Sequence, residues 1–214
     1  MKSPAEWRLC VIVDAALARG RPLEELARAA IAGGADAIQL RDKRSGARDL
    51  LEQAARLAAL CRTAGAAFIV NDRLDIALAA DADGLHVGQE DLPAAAARRL
   101  LGPGRLLGVS AVNVAQARQA QADGADYLGA GPVFDARATK PDAAAPIGLQ
   151  GLRDICAAVP LPVLAIGGLT VERAAAATAA GASGVAVISA VLAADDVTAA
   201  ARALRAAASS PFRP

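Results

Sequence analysis

The sequence predicts an α/β fold, a single (β/α)8 TIM barrel, and three observations carry that reading. Short apolar, β-rich runs alternate with amphipathic Ala/Leu segments from end to end; there are eight such runs; and polar residues able to do chemistry follow the ends of the runs repeatedly. At 214 residues the chain is long enough for one sizeable core and short for two. One domain is therefore expected over residues 1–214, with its core at about 9–207 and short flexible ends.

The strands are expected at 9–14, 37–40, 67–70, 84–87, 106–109, 127–130, 162–166 and 185–188. All are short and apolar throughout, as strands buried on both faces of a parallel sheet are. Helical patterns lie between them. In the first, Leu23, Leu26, Ala27, Ala30 and Ile31 share a stripe; in the second, Leu50, Ala54, Leu57, Ala58 and Cys61 do. Asp195, Asp196 and Val197 open a last helix. A helix-to-strand turn recurs as Gly34-Ala35-Asp36, Asp81-Ala82-Asp83-Gly84, Gly124-Ala125-Asp126 and Gly181-Ala182-Ser183-Gly184, at intervals of 47, 43 and 57 residues. Each copy precedes an even-numbered strand, which supports eight βα units closed into a barrel. An open doubly wound sheet is disfavoured, because no Gly-x-Gly-x-x-Gly turn follows the first strand.

Composition removes several function classes. With 23 basic and 22 acidic residues, the net charge of +1 gives no electrostatic case for nucleic acid or an acidic membrane. Aromatics are 2% of the chain, so base-stacking platforms are not expected either. The three cysteines, Cys10, Cys61 and Cys156, lack metal-like spacing and sit in apolar runs. They read as buried thiols in a reduced, cytoplasmic compartment. The charged residues Lys2, Glu6 and Arg8 precede an apolar run of only five residues, which is no secretory signal. The uncharged stretch 174–194 is long enough for a membrane span, but Gly181, Ser183 and Gly184 divide it into a helix end and a strand.

In a barrel of this kind, chemistry belongs at the C-terminal ends of the strands. The second strand ends in Gln39-Leu40-Arg41-Asp42-Lys43, and alternation sends Gln39, Arg41 and Lys43 the same way. Two cations and an amide converging at a barrel mouth make a phosphate clamp, although the same residues would also suit a solvated loop. The third strand runs into Asn71-Asp72 and the fourth into His86-Val87-Gly88-Gln89-Glu90-Asp91. Asp72 and Asp91 are thus carboxylates on adjacent strands of one rim, a donor pair that suits Mg2+ when phosphate and water complete the shell. Either aspartate alone would serve equally well as a helix N-cap. His86, the only histidine, fits a general acid–base role and a satisfied core position alike. Ser110 ends the fifth strand, and a polar loop over 131–147 carrying Thr139 and Lys140 follows the sixth. Gly167-Gly168 after the seventh strand and Ile188-Ser189 after the eighth suit a cradle of backbone N–H groups for a second phosphate. A clamp with a metal on one side and a cradle on the other call for two phosphorylated reactants, one of them a diphosphate.

Taken in order, Gln39 to Lys43, Asn71-Asp72, Asp83 to Asp91, Gly108-Val109-Ser110, Gly131-Pro132-Val133-Phe134, Thr139-Lys140-Pro141, Ile166-Gly167-Gly168 and Ile188-Ser189 resemble the thiamine phosphate synthase family over nearly the whole chain. The resemblance implies a Mg2+-dependent transferase of thiamine biosynthesis. It joins 4-amino-2-methyl-5-(diphosphooxymethyl)pyrimidine to a thiazole phosphate through a pyrimidine-stabilised carbocation. It also implies that Gln39, Arg41, Lys43, Asn71, Ser110 and Lys140 bind the pyrimidine diphosphate, with Leu40 and Asp42 in the same segment. Asp72 and Asp91 would hold the metal, and Thr139, Gly168, Ile188 and Ser189 the thiazole phosphate; Arg41, Lys43, Ser110 and Lys140 bear on the chemical step. The family loop usually reads Gly-Pro-x-aromatic-x-Thr-x-Thr-Lys. Here Asp135-Ala136-Arg137-Ala138-Thr139-Lys140 is one residue longer, and Ala136 or Arg137 stands in place of the first threonine.

Three other readings stand beside this one. A thiazole tautomerase of similar fold would carry a histidine where Val112 stands. A sensor binding thiamine intermediates would lack the metal carboxylates, and a phosphosugar isomerase would need a poised base. Oligomeric state and the preferred thiazole form are left open by the sequence.

Overall fold

The computed structural model describes residues 2–135 and 144–209. Eight parallel strands, β1 (Leu9–Asp14), β2 (Ala37–Arg41), β3 (Ala67–Asn71), β4 (Gly84–Val87), β5 (Leu106–Ala111), β6 (Tyr127–Ala130), β7 (Val163–Ile166) and β8 (Gly184–Val187), form a closed barrel in sequence order. The ring closes through β1 and β8, with Leu9 opposite Val185 and Val11 opposite Val187. Around it run α1 (Leu23–Ala32), α2 (Ala47–Ala64), α3 (Leu74–Ala79), α4 (Ala94–Leu101), α5 (Val114–Ala122), α6 (Gly148–Ala158), α7 (Val171–Ala179), α8 (Ser189–Leu192) and α9 (Val197–Ser209). No described helix is long and apolar enough to cross a membrane.

The expected strands are all present; β1, β4 and β6 have the expected bounds and the other five differ by one or two residues. β2, β3 and β5 run on into Arg41, Asn71 and Ala111, because these residues still find partners in Asp14, His86 and Ala130. Hydrophobic pattern stops at the first polar residue, whereas the ladder of backbone bonds does not. The one-turn helix α8 was not expected; four residues carry too little periodicity to announce a helix.

Strand alternation divides the core in two. Outward residues such as Val11, Val13, Ile38, Leu40, Phe68, Val70, Leu85 and Val87 pack under the helices. They meet helix faces built from Leu26, Ala27 and Ala30, or Leu50, Leu57 and Cys61. Inward residues, among them Cys10, Ile12, Ala37, Ala67, Ile69, Tyr127, Leu164 and Ala186, fill the barrel. Cys10 and Cys61 are buried, whereas Cys156 is only half-buried, so the expectation of three buried thiols holds for two. Burial raises all three thiols, Cys10 and Cys61 to about 12 and Cys156 to about 11.

The N-terminal end, expected to be flexible, is tied to the barrel. A 3-10 turn at Pro4–Glu6 is capped by Ser3, and Lys2 Nζ bonds Asp36 at 2.6 Å. Trp7 is fully buried and plugs the barrel floor, packing edge-on against Tyr127 at 5.2 Å between ring centroids. Its Nε1–H donates to the Lys2 carbonyl at 3.2 Å. Burying such a side chain contributes about 2–3 kcal/mol, which offsets part of the cost of ordering the residues ahead of β1. The C-terminal end lies outside the described residues.

The recurring turn explains itself in the structure. Asp36 accepts from the N–H groups of Arg8 and Leu9 at the start of β1. Asp83 accepts from Phe68 at 2.8 Å in β3, and Asp126 from Leu107 at 2.7 Å in β5. Ser183, the fourth copy, donates to the Val163 carbonyl in β7 at 3.0 Å. Each even strand thus begins by fastening the odd strand before it. A cleft of about 410 Å3 at this end, walled in part by Lys2, Arg202 and Arg205, surrounds Asp36. It belongs to the fastening of the chain ends, since Arg205 of α9 also reaches Asp36, at 3.3 Å.

Asp83→Ala is expected to cost about 1–2 kcal/mol by leaving the Phe68 N–H without its acceptor. Asp36→Asn should cost more, because two backbone donors and two cations lose a carboxylate at once; urea unfolding measures both. Burial draws the Asp36 carboxyl up, but Lys2, the Arg8 and Leu9 N–H groups and Arg205 draw it further down, so it ends below its ordinary value. Its contribution is therefore complete above the unfolded carboxylate pKa and lost as pH falls through the folded one. The stability gap between the wild type and Asp36→Asn should narrow only in that acid range.

Candidate active site

The C-terminal ends of the strands open into a cavity of about 290 Å3. Polar groups reach it from one arc of the rim: Asp14 from β1, Gln39 and Arg41 from β2, Lys43 just beyond, Asn71 and Asp72 from β3, His86, Gly88 and Asp91 from β4 and its loop, and Ser110 from β5. The opposite wall is apolar, with Leu164, Ile166, Ala186 and Ile188. A ligand with a charged end and a flat apolar body fits this division.

The cations are held by acids. Arg41 pairs with Asp14, its direct neighbour across the β1–β2 ladder. Asp14 is 4% exposed and also accepts from Ala16 N–H at 2.8 Å, so its carboxylate is a fixed anchor for the guanidinium. Lys43 Nζ lies 3.0 Å from Asp72 and stays half-exposed, free to turn toward an anion. Gly88 N–H donates to Asp91 at 2.8 Å.

Asp72 occupies left-handed backbone space at φ 62, a conformation that Asp tolerates better than most residues. Its N–H donates to the His86 carbonyl at 2.8 Å, which locks the turn between β3 and β4. Burial and the facing Asp91 carboxyl raise Asp72, and Lys43 offsets only part of this. Asp91 moves the other way: burial raises it, but the Asp72 side chain, the Gly88 N–H and Lys43 bring it below its ordinary value. The two facing carboxyls are thus shifted in opposite directions, as like charges held close together are. Among the described residues no group of three or more His, Cys, Asp or Glu gathers at one point. A divalent cation here would rest on these two carboxylates, with ligand oxygens and water completing its shell.

His86 is 9% exposed, and burial lowers it to about 4 against a small opposing pull from Asp91. At neutral pH it is uncharged, which argues against a proton-donating imidazolium. Its ring lies between Tyr127 OH at 3.2 Å and Ser110 Oγ at 3.0 Å.

Of the residues expected from sequence, Gln39, Arg41, Lys43, Asn71, Asp72, Asp91, Ser110 and Ile188 line this cavity. Leu40 faces the helices in the outer core, and Asp42 turns away to accept from the Arg44 and Ser45 N–H groups. Alternation along β2 accounts for both. Ser189 opens α8 behind Ile188. Gly168, at φ 63, lies under Phe134, and a Cβ there would come within 2.5 Å of the Asp135 carbonyl. Its own carbonyl accepts from Arg173 at 2.7 Å, and Arg173 also stacks on the Phe134 ring. Thr139 and Lys140 lie outside the described residues. Sequence reading missed Asp14 and Tyr127. Asp14 obeys the same rule as the others, a polar residue ending a strand; Tyr127 begins its strand, and only the register shows that it meets His86.

A family model described as thiamine monophosphate synthase matches residues 9–191. A thiamine-phosphate synthase of Moorella thermoacetica is 60% identical, covering 94% of this chain and 95% of its own. One of Chloroflexus aurantiacus is 59% identical, covering 94% and 92%. Among solved structures, thiamine phosphate pyrophosphorylase from Pyrococcus furiosus superposes with a TM-score of 0.87 at 41% identity, covering 96% of each chain. A 3-hexulose-6-phosphate synthase, at 22% identity and a TM-score of 0.68, shares the fold.

Because Asp14 anchors Arg41, Asp14→Ala is expected to weaken binding of inorganic diphosphate, measured with Mg2+ by calorimetry, about tenfold while leaving the fold intact. Unchanged affinity would show that Arg41 needs no anchor.

Proposed function

The chain belongs to the thiamine monophosphate synthase family, and on that premise we propose that it joins 4-amino-2-methyl-5-(diphosphooxymethyl)pyrimidine to 4-methyl-5-(2-phosphooxyethyl)thiazole, giving thiamine phosphate and diphosphate, or to its carboxylated form, giving the same products and CO2. The observation that supports this most is the convergence of Arg41, Lys43, Asp72 and Asp91 on one side of a cavity whose other wall is apolar. A diphosphate needs the first, and a pyrimidine ring the second.

In this reading the bond between the pyrimidine methylene and the diphosphate oxygen breaks, and its electron pair leaves with the diphosphate. The thiazole nitrogen lone pair then closes the new C–N bond. Neither event requires a strong base, which agrees with a histidine that burial keeps neutral. Arg41, Lys43 and Ser110 hold the departing oxygens, where charge grows during the step. Gln39 and Asn71 orient the pyrimidine end, and the apolar wall keeps water from the cation. Lys140 adds a further cation to the diphosphate. Thr139, Gly168, Ile188 and Ser189 receive the thiazole phosphate, while Leu40 and Asp42 contribute through the backbone that carries their neighbours.

Two facing carboxylates on one rim of the cavity suit Mg2+, and Asp72 and Asp91 would hold it. Bound there, the ion would neutralise charge on the diphosphate. We place the enzyme in the cytoplasm, without nucleic-acid or membrane partners, in keeping with its near-zero net charge and free thiols.

The test mixes protein, both phosphorylated substrates and Mg2+, oxidises the product and reads thiochrome fluorescence. Signal that chelator abolishes and Mg2+ restores is expected. Asp72→Ala should lower the rate at least about a hundredfold, in line with loss of charge stabilisation at a departing group. No product, with the pyrimidine diphosphate still bound tightly, would replace the enzyme by a sensor. Arg137, in the longer loop, substitutes a charge for the missing threonine hydroxyl; Arg137→Ala should raise KM for the thiazole phosphate, and an unchanged KM would refute that substitution.

A further inference from the structure

Ser110 is the single hydroxyl placed against the diphosphate by the reading above, and it is connected to the barrel floor. His86, Gly108 and Tyr127 stand side by side on β4, β5 and β6, at the same level of the barrel. Gly108 has no side chain, so His86 and Tyr127 meet across it; a Cβ at Gly108 would overlap both rings. Gly129, directly opposite Ser110, makes room on the far side: a Cβ there would lie 3.1 Å from His86 Cε1. Two glycines thus carve the space for a column running from Trp7 through Tyr127 and His86 to Ser110.

The column has a polarity. Tyr127 is 1% exposed, and His86 Nδ1 is the only hydrogen-bonding partner of its hydroxyl among the described residues. A phenol buried in this way must donate its proton, and Nδ1 is the acceptor within reach. An imidazole that accepts at Nδ1 carries its proton at Nε2. That N–H then points at Ser110 Oγ, 3.0 Å away. One Ser110 lone pair is occupied from behind, and the serine proton is left to point elsewhere. The opposite tautomer would strand the tyrosine proton in the core and spend the serine proton on the ring.

We propose that Tyr127 is a positioning residue: by donating to His86 Nδ1 it fixes the Nε2–H tautomer, which sets the Ser110 hydroxyl as a donor into the pocket. Phosphate oxygens at neutral pH are acceptors, so a hydroxyl preset as donor binds them without reorienting as charge develops. The inference rests on the diphosphate reading of Ser110, and it makes His86 a mount for that serine.

The chain contains one histidine, so nitrogen-15 spectra of uniformly labelled protein report a single imidazole. An acceptor-type Nδ1 and a proton-bearing Nε2 are expected in the wild type, and finding the proton at Nδ1 overturns the proposal. Tyr127→Phe, which removes one oxygen, should shift the ring away from the pure Nε2–H form and lower kcat about tenfold with both KM values nearly unchanged. An unaltered tautomer and kcat in that variant also overturn it. His86→Gln, whose amide reaches toward the place of Nε2, should retain more kcat than His86→Leu; equal loss counts against the relay. Ser110→Ala separates the two levels. Full activity there removes the diphosphate role of Ser110, whereas a slow Ser110→Ala beside an unimpaired Tyr127→Phe removes the relay alone.

Discussion

Everything at the mouth of this barrel depends on the ring being closed, which happens where β1 pairs with β8. An open sheet of eight strands would present two unpaired edges and let its strand ends drift. Closure places the ends of β1 to β5 on one arc and those of β7 and β8 on the other, at separations side chains can span. The join is reinforced where the chain itself begins and ends: Trp7 caps the floor, Lys2 and Arg205 grip Asp36, and Asp36 holds the first backbone N–H groups of β1. The same acid-on-backbone device recurs at Asp83 and Asp126, with Ser183 reversing donor and acceptor. The barrel is thus fastened pair by pair at the end opposite its chemistry.

At the chemical end, charges are arranged in mutual restraint. Arg41 is held by Asp14, Lys43 by Asp72, and Asp72 faces Asp91. Buried carboxyls without partners would be costly, and the paired cations offset that cost. Asp14 pairs with Arg41 and so restrains the orientation of the guanidinium plane.

Much of this was legible in the sequence, because barrel architecture turns position along the chain into position in space. A polar residue at the end of an apolar run must sit at the rim, so Gln39, Arg41, Lys43, Asn71, Asp72, Asp91 and Ser110 could be gathered without coordinates. Leu40 and Asp42 share that segment but alternate to the other face, as period two requires. What escaped was information that lies across strands. That Tyr127 would touch His86 depends on β4, β5 and β6 being level and on Gly108 between them being bare. Nor does periodicity announce that Trp7, two residues ahead of the first strand, turns inward. The one-turn helix α8 was lost for want of length, and Arg173 bracing Phe134 and Gly168 for want of any local pattern.

Trp7, Tyr127 and His86 are the chain's only tryptophan, tyrosine and histidine, and they stand in one line from the floor to the site. The molecule therefore carries one indole and one phenol, in ring contact, beside three phenylalanines whose absorption is far weaker. Excitation energy absorbed at the phenol has the indole as its nearest acceptor, and the phenol's hydrogen bond is to the imidazole under Ser110. Emission from that one indole therefore reports on the floor end of the column that leads through Tyr127 and His86 to Ser110.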